Sequence, residues 1–224
     1  MAEEETGADL AIIVPMLGRA HRVAPLVESI RTATPAARIV FCTTPGDNQV
    51  VNAIDALGLE RLTVTRYPVG DFARKVNAGY RHTTEPYLFT GADDLRFHTG
   101  WYAAAKAKLG PGVGVVGTND LGSPRVMAGE HATHFLVTRA YADQHGTIDG
   151  PGAVLAECYP HEYVDDEMVH TARFRGAWAF AGDAHVEHLH PDWGKAPTDS
   201  LYQQQRHRMR QGARLYRLRS RRWT

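Results

Sequence analysis

Two adjacent carboxylates, Asp93 and Asp94, follow the apolar run Tyr87-Leu88-Phe89-Thr90 after only Gly91 and Ala92. Like charges about 4 Å apart at the end of a buried strand repel, and something positive must offset that repulsion. A divalent cation does so, and phosphate is its usual ligand. The plainer role for the pair is to cap a helix starting near Thr99, or to sit solvated in a turn. A second acidic pair, Asp165 and Asp166, opens a predicted helix after Tyr159-Pro160-His161-Glu162-Tyr163. Backbone N–H groups at a helix start keep a carboxylate ionised, and a fixed carboxylate can take a proton from an attacking hydroxyl. N-capping alone would use one of the two. His185, His188 and His190 fall on a strand-like stretch whose alternation places His188 and His190 on one face and His185 on the other. Two histidines with no cysteine nearby do not make a zinc site. One histidine, His188, completing a site begun by Asp93 gives an oxygen-rich donor set suited to Mn²⁺ or Mg²⁺ on phosphate oxygens.

Cations and aromatic rings accompany these acids. Arg19 ends the loop Pro15-Met16-Leu17-Gly18-Arg19, where a guanidinium could meet a phosphate. That loop lacks the Gly-Lys-Ser/Thr ending of a phosphate-binding P-loop and is not a dinucleotide fingerprint. Arg74, Lys75 and Asn77 share the helix before the Tyr87 strand and could reach a diphosphate, although a solvated helix face suits at least one of the two cations. Trp101, Tyr159, His161 and Tyr163 could form a platform for a sugar or a base.

Strands and helices alternate four times in the first 100 residues. Predicted strands at Leu10–Val14, Arg38–Cys42, Leu62–Thr65 and Tyr87–Thr90 are separated by helices at Val23–Thr32, Val50–Leu57 and Phe72–His82. This predicts an α/β fold, a mostly parallel central sheet with helices on both faces, and ligands in such sheets bind beyond the carboxyl ends of the strands. Helices at Trp101–Leu109 and Tyr163–Arg173, strands at Val113–Val116, His134–Val137 and Ala184–Leu189, and an amphipathic helix from Thr198 complete the pattern. The expected division is a disordered acidic N-terminus over residues 1–9, one catalytic domain over 10–197 and a basic helical extension over 198–224.

The chain has 224 residues, 43% of them hydrophobic, and its net charge of zero conceals an asymmetry. Every acid lies at or before Asp199, and the last 25 residues carry eight arginines, leaving the body at −8 and the tail at +8. Such a tail suits a polyanionic partner, or it folds against its own acidic body. Cys42 and Cys158 are too few for a disulfide framework, the first nine residues do not resemble a signal peptide, and no apolar run reaches membrane-spanning length; a cytoplasmic location is expected.

In order, these motifs resemble glycosyltransferases of the GT-A (Rossmann-like) fold, close to the large family 2 of inverting enzymes. Ile12-Ile13-Val14-Pro15 with Arg19 is similar to that family's first strand and nucleotide loop, and Asn77-Ala78-Gly79 to the Asn-x-Gly before its metal strand. Gly91-Ala92-Asp93-Asp94 occupies the place of Asp-x-Asp, with Gly91 replacing the first acid. Val164-Asp165-Asp166-Glu167 resembles the Glu-Asp motif of the catalytic base, and Val186-Glu187-His188 the late metal histidine. An acid often stands at the end of the second strand; here Asp47 is the nearest substitute. The compact length and arginine-rich end resemble small phage and actinobacterial members. The resemblance implies a metal-dependent inverting transferase moving a sugar from a nucleoside-diphosphate sugar to a hydroxyl. Asp93 and His188 would hold Mn²⁺ or Mg²⁺. Pro15, Arg19, Asp47, Lys75, Asn77, Ala92 and Asp93 would bind the donor. Trp101, His161, Tyr163 and Asp165 would bind the acceptor, and Asp166 would be the base. Acceptor classes left open are nucleic acid, including a modified base in phage DNA, a lipid-linked phosphate and an anionic glycan. The rival readings are a sugar-phosphate nucleotidyltransferase, which would want a lysine-containing, glycine-rich first loop, and a non-catalytic module binding nucleic acid or a membrane surface through its tail.

Overall fold

The continuous apolar run near the start of the chain becomes β1 (Leu10–Pro15), in which every residue is buried. Its alternation feeds two cores. Leu10, Ile12 and Val14 pack with α1 (Val23–Ala33), α2 (Asn48–Asp55) and α4 (Trp101–Lys106) on one face. Ala11 and Ile13 pack with α3 (Asp71–His82), α6 (Arg139–Gln144) and α7 (Val164–Phe174) on the other. Each fully buried Leu, Ile or Val contributes about 1.5–3 kcal/mol of transfer free energy, so β1 alone is a strong organiser. This computed structural model describes residues 6–223, apart from the side chains of residues 204–207. Met1 to Glu5 of the acidic N-terminus, and the side chain of Arg206 in the basic tail, lie outside the described residues.

Eight strands form one sheet in the order β3-β2-β1-β4-β7-β6-β8-β5. β2 (Arg38–Thr43), β1, β3 (Glu60–Thr63) and β4 (Tyr87–Thr90) run parallel, as the alternating pattern predicts. β7 (Phe135–Thr138) runs antiparallel between β4 and β6 (Val115–Asn119), and β6 pairs parallel with β8 (Trp178–His188). β5 (Leu95–Phe97) is an edge strand antiparallel to β8. The fold is thus a mostly parallel α/β sheet flanked by helices.

Several details differ from the sequence expectation. β3 starts two residues before the expected Leu62, because Glu60 pairs with Val40 and its carboxylate takes a hydrogen bond of 2.8 Å from Arg38. β5 and the short α5 (Pro124–Met127) are too brief to give a periodic signal. β8 is nearly twice the expected length: its register against β6 slips beyond Thr118, and Asn119 Nδ2 donates to the carbonyl of Gly182 inside the irregularity. Residues 6–9, expected to be disordered, are held in place. The backbone N–H of Ala36 donates to the Thr6 carbonyl, and the Asp9 carboxylate accepts hydrogen bonds from Tyr102 and Lys106. The basic extension forms α8 (Ser200–Arg219), capped by the Asp199 carboxylate on the N–H groups of Leu201 and Tyr202. No helix among the described residues is long and apolar enough to cross a membrane.

Candidate functional site

The carboxyl ends of β1 and β4 open into a cleft of about 250 Å³. The N–H of Gly91 donates 2.8 Å to the Ile13 carbonyl. A Cβ on Gly91 would lie 2.7 Å from that same oxygen, so only glycine lets β4 end this close to β1. The turn that follows delivers Ala92, Asp93 and Asp94 to the cleft.

β8 brings in the imidazole. Its slip away from β6 swings the strand onto β5, where His188 stands opposite Leu95 and the N–H of Leu189 donates to the carbonyl of Asp94. His188 Nε2 therefore faces Asp94 Oδ2 at 3.4 Å. Asp93, expected to be the partner of His188, turns instead to Arg19 Nη1 at 3.0 Å and Arg22 Nη1 at 3.3 Å. The difference comes from β5, whose register sets the histidine beside the residue immediately before Leu95. Burial and the neighbouring Asp94 charge raise the Asp93 pKa. Burial would raise Asp94 too, but His188 and the Tyr202 hydroxyl hold it well below the carboxylate range. Burial opposes charge on His188, and Asp94 overcomes that opposition and raises its pKa.

A nitrogen and a carboxylate oxygen 3.4 Å apart have nearly the roughly 3 Å spacing of neighbouring ligands on a six-coordinate Mg²⁺-sized cation. The donor set is oxygen-rich with one imidazole, which suits Mn²⁺ or Mg²⁺ rather than structural zinc. Asp94 and His188 offer a carboxylate and an imidazole to a divalent cation, in competition with the Tyr202 hydroxyl and with Arg22, whose Nη1 lies 3.4 Å from the same Asp94 oxygen.

The first turn of α8 closes this side of the site. The Arg19 guanidinium is gripped in fork fashion by Asp199, at 2.7 and 3.0 Å, and lies 4.0 Å from the centre of the Tyr202 ring. The Tyr202 hydroxyl donates 2.7 Å to Asp94 and accepts from Arg22 at 3.0 Å. The two arginines are thus aimed beside the acidic pair. Neither Arg22 nor Tyr202 is marked by a motif; Arg22 lies three residues after Arg19, the only local hint that the two cations act together.

On the opposite wall Tyr163 adopts a left-handed backbone, φ 72°, just before α7. This reversal lets Glu162 and Asp165 both face the cleft. Asp165 Oδ2 pairs with His131 Nε2 at 3.2 Å, while Asp166, expected to be the base, points off the cleft to Arg125 at 3.0 Å. Burial would raise the Asp165 pKa, but His131 holds it low. His131, Asp165 and Asp166 place donor atoms within 4.8 Å of one another. Arg125 and His131 already satisfy both carboxylates there, so this cluster reads as an ion-pair network. Glu162 has no ion-pair partner among the described residues; burial and the charges of Asp165 and Asp166 push its pKa up to about 7.

Among the remaining expected residues, Pro15 and His161 line the cleft. Lys75 reaches it too, but its side chain is 1% exposed and its ammonium donates to the Met16 carbonyl, Thr44 and Asp71, so it ties loops together instead of meeting a phosphate. Arg74 pairs with Glu157 at 2.7 Å. Asn77 is fully buried and clasps the backbone of Val154 and Leu155, a scaffold role behind the cleft. Asp47 accepts from the Gly18 N–H at 2.7 Å and shapes the first loop from outside the cleft lining. Tyr163 packs on Tyr216. Trp101 is 0% exposed and wedged against Phe89 and Phe97, a core residue and no platform.

The structure is similar to solved glycosyltransferases. It matches a mannosyltransferase from Pyrobaculum calidifontis in complex with GDP-Man and Mn²⁺ with a TM-score of 0.65 at 16% identity, over 92% of this chain and 61% of that one. It matches glucosyl-3-phosphoglycerate synthase from Mycobacterium tuberculosis, in complex with Mn²⁺, UDP-glucose and phosphoglyceric acid, with a TM-score of 0.59 at 12% identity, over 94% and 79% of the two chains. The same synthase in complex with Mg²⁺ and UDP matches with a TM-score of 0.55 at 12% identity, over 86% and 73%. This chain therefore spans about three-fifths of the length of the mannosyltransferase. No protein-family model matches the chain, and no curated protein matches its sequence.

Proposed function

We propose that this chain is a metal-dependent glycosyltransferase that moves a sugar from a nucleoside-diphosphate sugar to an acceptor hydroxyl, with inversion at the anomeric carbon. The observation that carries the reading is the convergence of Asp94 with His188, and of Arg19 and Arg22 with Asp93, in one cleft that Asp165 faces from the far wall. The fold, shared with transferases solved with nucleotide sugars and Mn²⁺, supports it.

Asp94 and His188 would hold Mn²⁺ or Mg²⁺, which offsets charge on the leaving diphosphate. Arg19 and Arg22 orient the diphosphate and add positive charge where the glycosidic oxygen departs. Asp165, ionised beside His131, takes the acceptor hydroxyl proton as its oxygen bonds to the anomeric carbon. The bond from that carbon to the diphosphate oxygen breaks on the opposite face, and the nucleoside diphosphate leaves with the electron pair. Placing the base on Asp165 and the metal carboxylate on Asp94 revises the sequence expectation by one residue at each site. Pro15 and Ala92 form the floor under the donor, and His161 lies on the acceptor side. A cytoplasmic enzyme fits the free thiols Cys42 and Cys158.

Thermal-shift screening with UDP-, GDP-, TDP- and ADP-sugars, with and without Mn²⁺, tests the reading. One nucleotide series should raise Tm only when Mn²⁺ is present. A shift with sugar phosphates and nucleoside triphosphates instead would favour a nucleotidyltransferase, and no shift with any nucleotide would favour a binding module.

A further inference from the structure

Helix α8 and the turn just after it carry two kinds of arginine. Arg219 pairs with Glu167 at 2.5 Å and Asp149 at 2.6 Å, and Arg222 also pairs with Asp149, so part of the tail charge is neutralised by the acidic body. Arg210, Arg214 and Arg217 are exposed and have no acidic partner among the described residues. At 100° per residue, spacings of four and three place them within about 60° of one another on one helix face. The opposite face is anchored: Gly212 meets the Glu162 backbone, and Tyr216 bonds to His170. The outward stripe is therefore held rigid, with charges spread over roughly 10 Å between Arg210 and Arg217.

We infer that this stripe is a docking surface for the phosphodiester backbone of a nucleic acid. All the cations of the tail are arginine, whose planar fork matches phosphate, and the stripe has the linear repeat of a polyanion. A lipid surface fits less well. Helices that lie on membranes present an apolar face to lipid, whereas the exposed Met209 and Leu218 flank this stripe on opposite sides and the remaining apolar face is turned inward. Arg208, about 120–180° around the helix from the stripe, lines the cleft from the anchored face. That a docked strand would carry the accepting hydroxyl rests on the sugar-transfer reading; the docking does not.

The test is fluorescence anisotropy with labelled 20-nucleotide single- and double-stranded DNA across 50–300 mM KCl, comparing the wild type with the triple variant Arg210→Gln, Arg214→Gln, Arg217→Gln. The wild type should bind with a steep salt dependence. The variant should lose roughly 0.7–0.9 of log–log slope for each phosphate contact removed, about 2–3 in all for the three. Its Mn²⁺-dependent nucleotide thermal shift should be unchanged, because these arginines lie outside the cleft lining. Absent DNA binding at 50 mM salt, an unchanged slope in the variant, or tighter binding to phosphatidylserine vesicles than to DNA would overturn the inference. DNA binding without any nucleotide-sugar shift would uphold docking and count against sugar transfer.

Discussion

The carboxylates that begin α7 differ in what they face, and that difference sets their chemistry. Asp165 opens onto the cleft and is held ionised by His131, whereas Asp166 is tied to Arg125 outside it. Asp165→Asn should lower kcat by about 10²–10⁴-fold while nucleotide binding persists, and Asp166→Asn should cost far less; steady-state kinetics of both variants checks this. Glu162 supplies a pH signature. Its folded-state pKa, about 7, stands above the ordinary 4.5, so the folded chain binds this proton more tightly than the unfolded chain. The resulting stability is present below about pH 4.5 and is lost as pH rises to about 7. Glu162→Gln should therefore raise Tm relative to wild type at pH 8 and leave it nearly unchanged at pH 4, as paired melting curves would show. The sequence shows that an acidic pair stands at a helix start; which member faces inward depends on helix phase after the left-handed turn at Tyr163, and no periodicity reports that turn.

At the scale of elements, most of the parallel half of the sheet was legible because β1, β2 and β4 are largely apolar runs buried on both faces. β5 was not, since three residues carry no period, yet its ladder with β8 determines that Asp94 and not Asp93 meets His188. The contribution of α8 was equally hidden: Asp199 and Arg19 bond across 180 positions, and nothing local in the sequence anticipates it. The close seating of α8 depends on Gly212, where a Cβ would come within 2.7 Å of the Glu162 carbonyl. Gly212→Ala should destabilise the protein by about 1–3 kcal/mol through overpacking and weaken nucleotide binding by disturbing Tyr202; chemical denaturation and a nucleotide titration read the two effects. Trp101→Ala, by contrast, should cost about 3–5 kcal/mol of stability, a core penalty visible in denaturation, because Trp101 fills the space between Phe89 and Phe97.

At the scale of the molecule, one acidic body and one basic helix are joined so that the helix serves both. Its inward arginines neutralise Glu167 and Asp149, its first turn braces the cations beside Asp93 and Asp94, and its outward face remains basic. Sugar transfer by this chain requires a cation and a nucleotide diphosphate to share the cleft between β4 and β8. Titration of Mn²⁺ in the presence of UDP or GDP, followed by the electron paramagnetic resonance signal of free Mn²⁺, tests that most directly. The wild type should take up one equivalent, and Asp94→Asn combined with His188→Ala should weaken uptake at least tenfold while the protein stays folded by circular dichroism. Equal Mn²⁺ uptake by the folded double variant and the wild type would contradict the account.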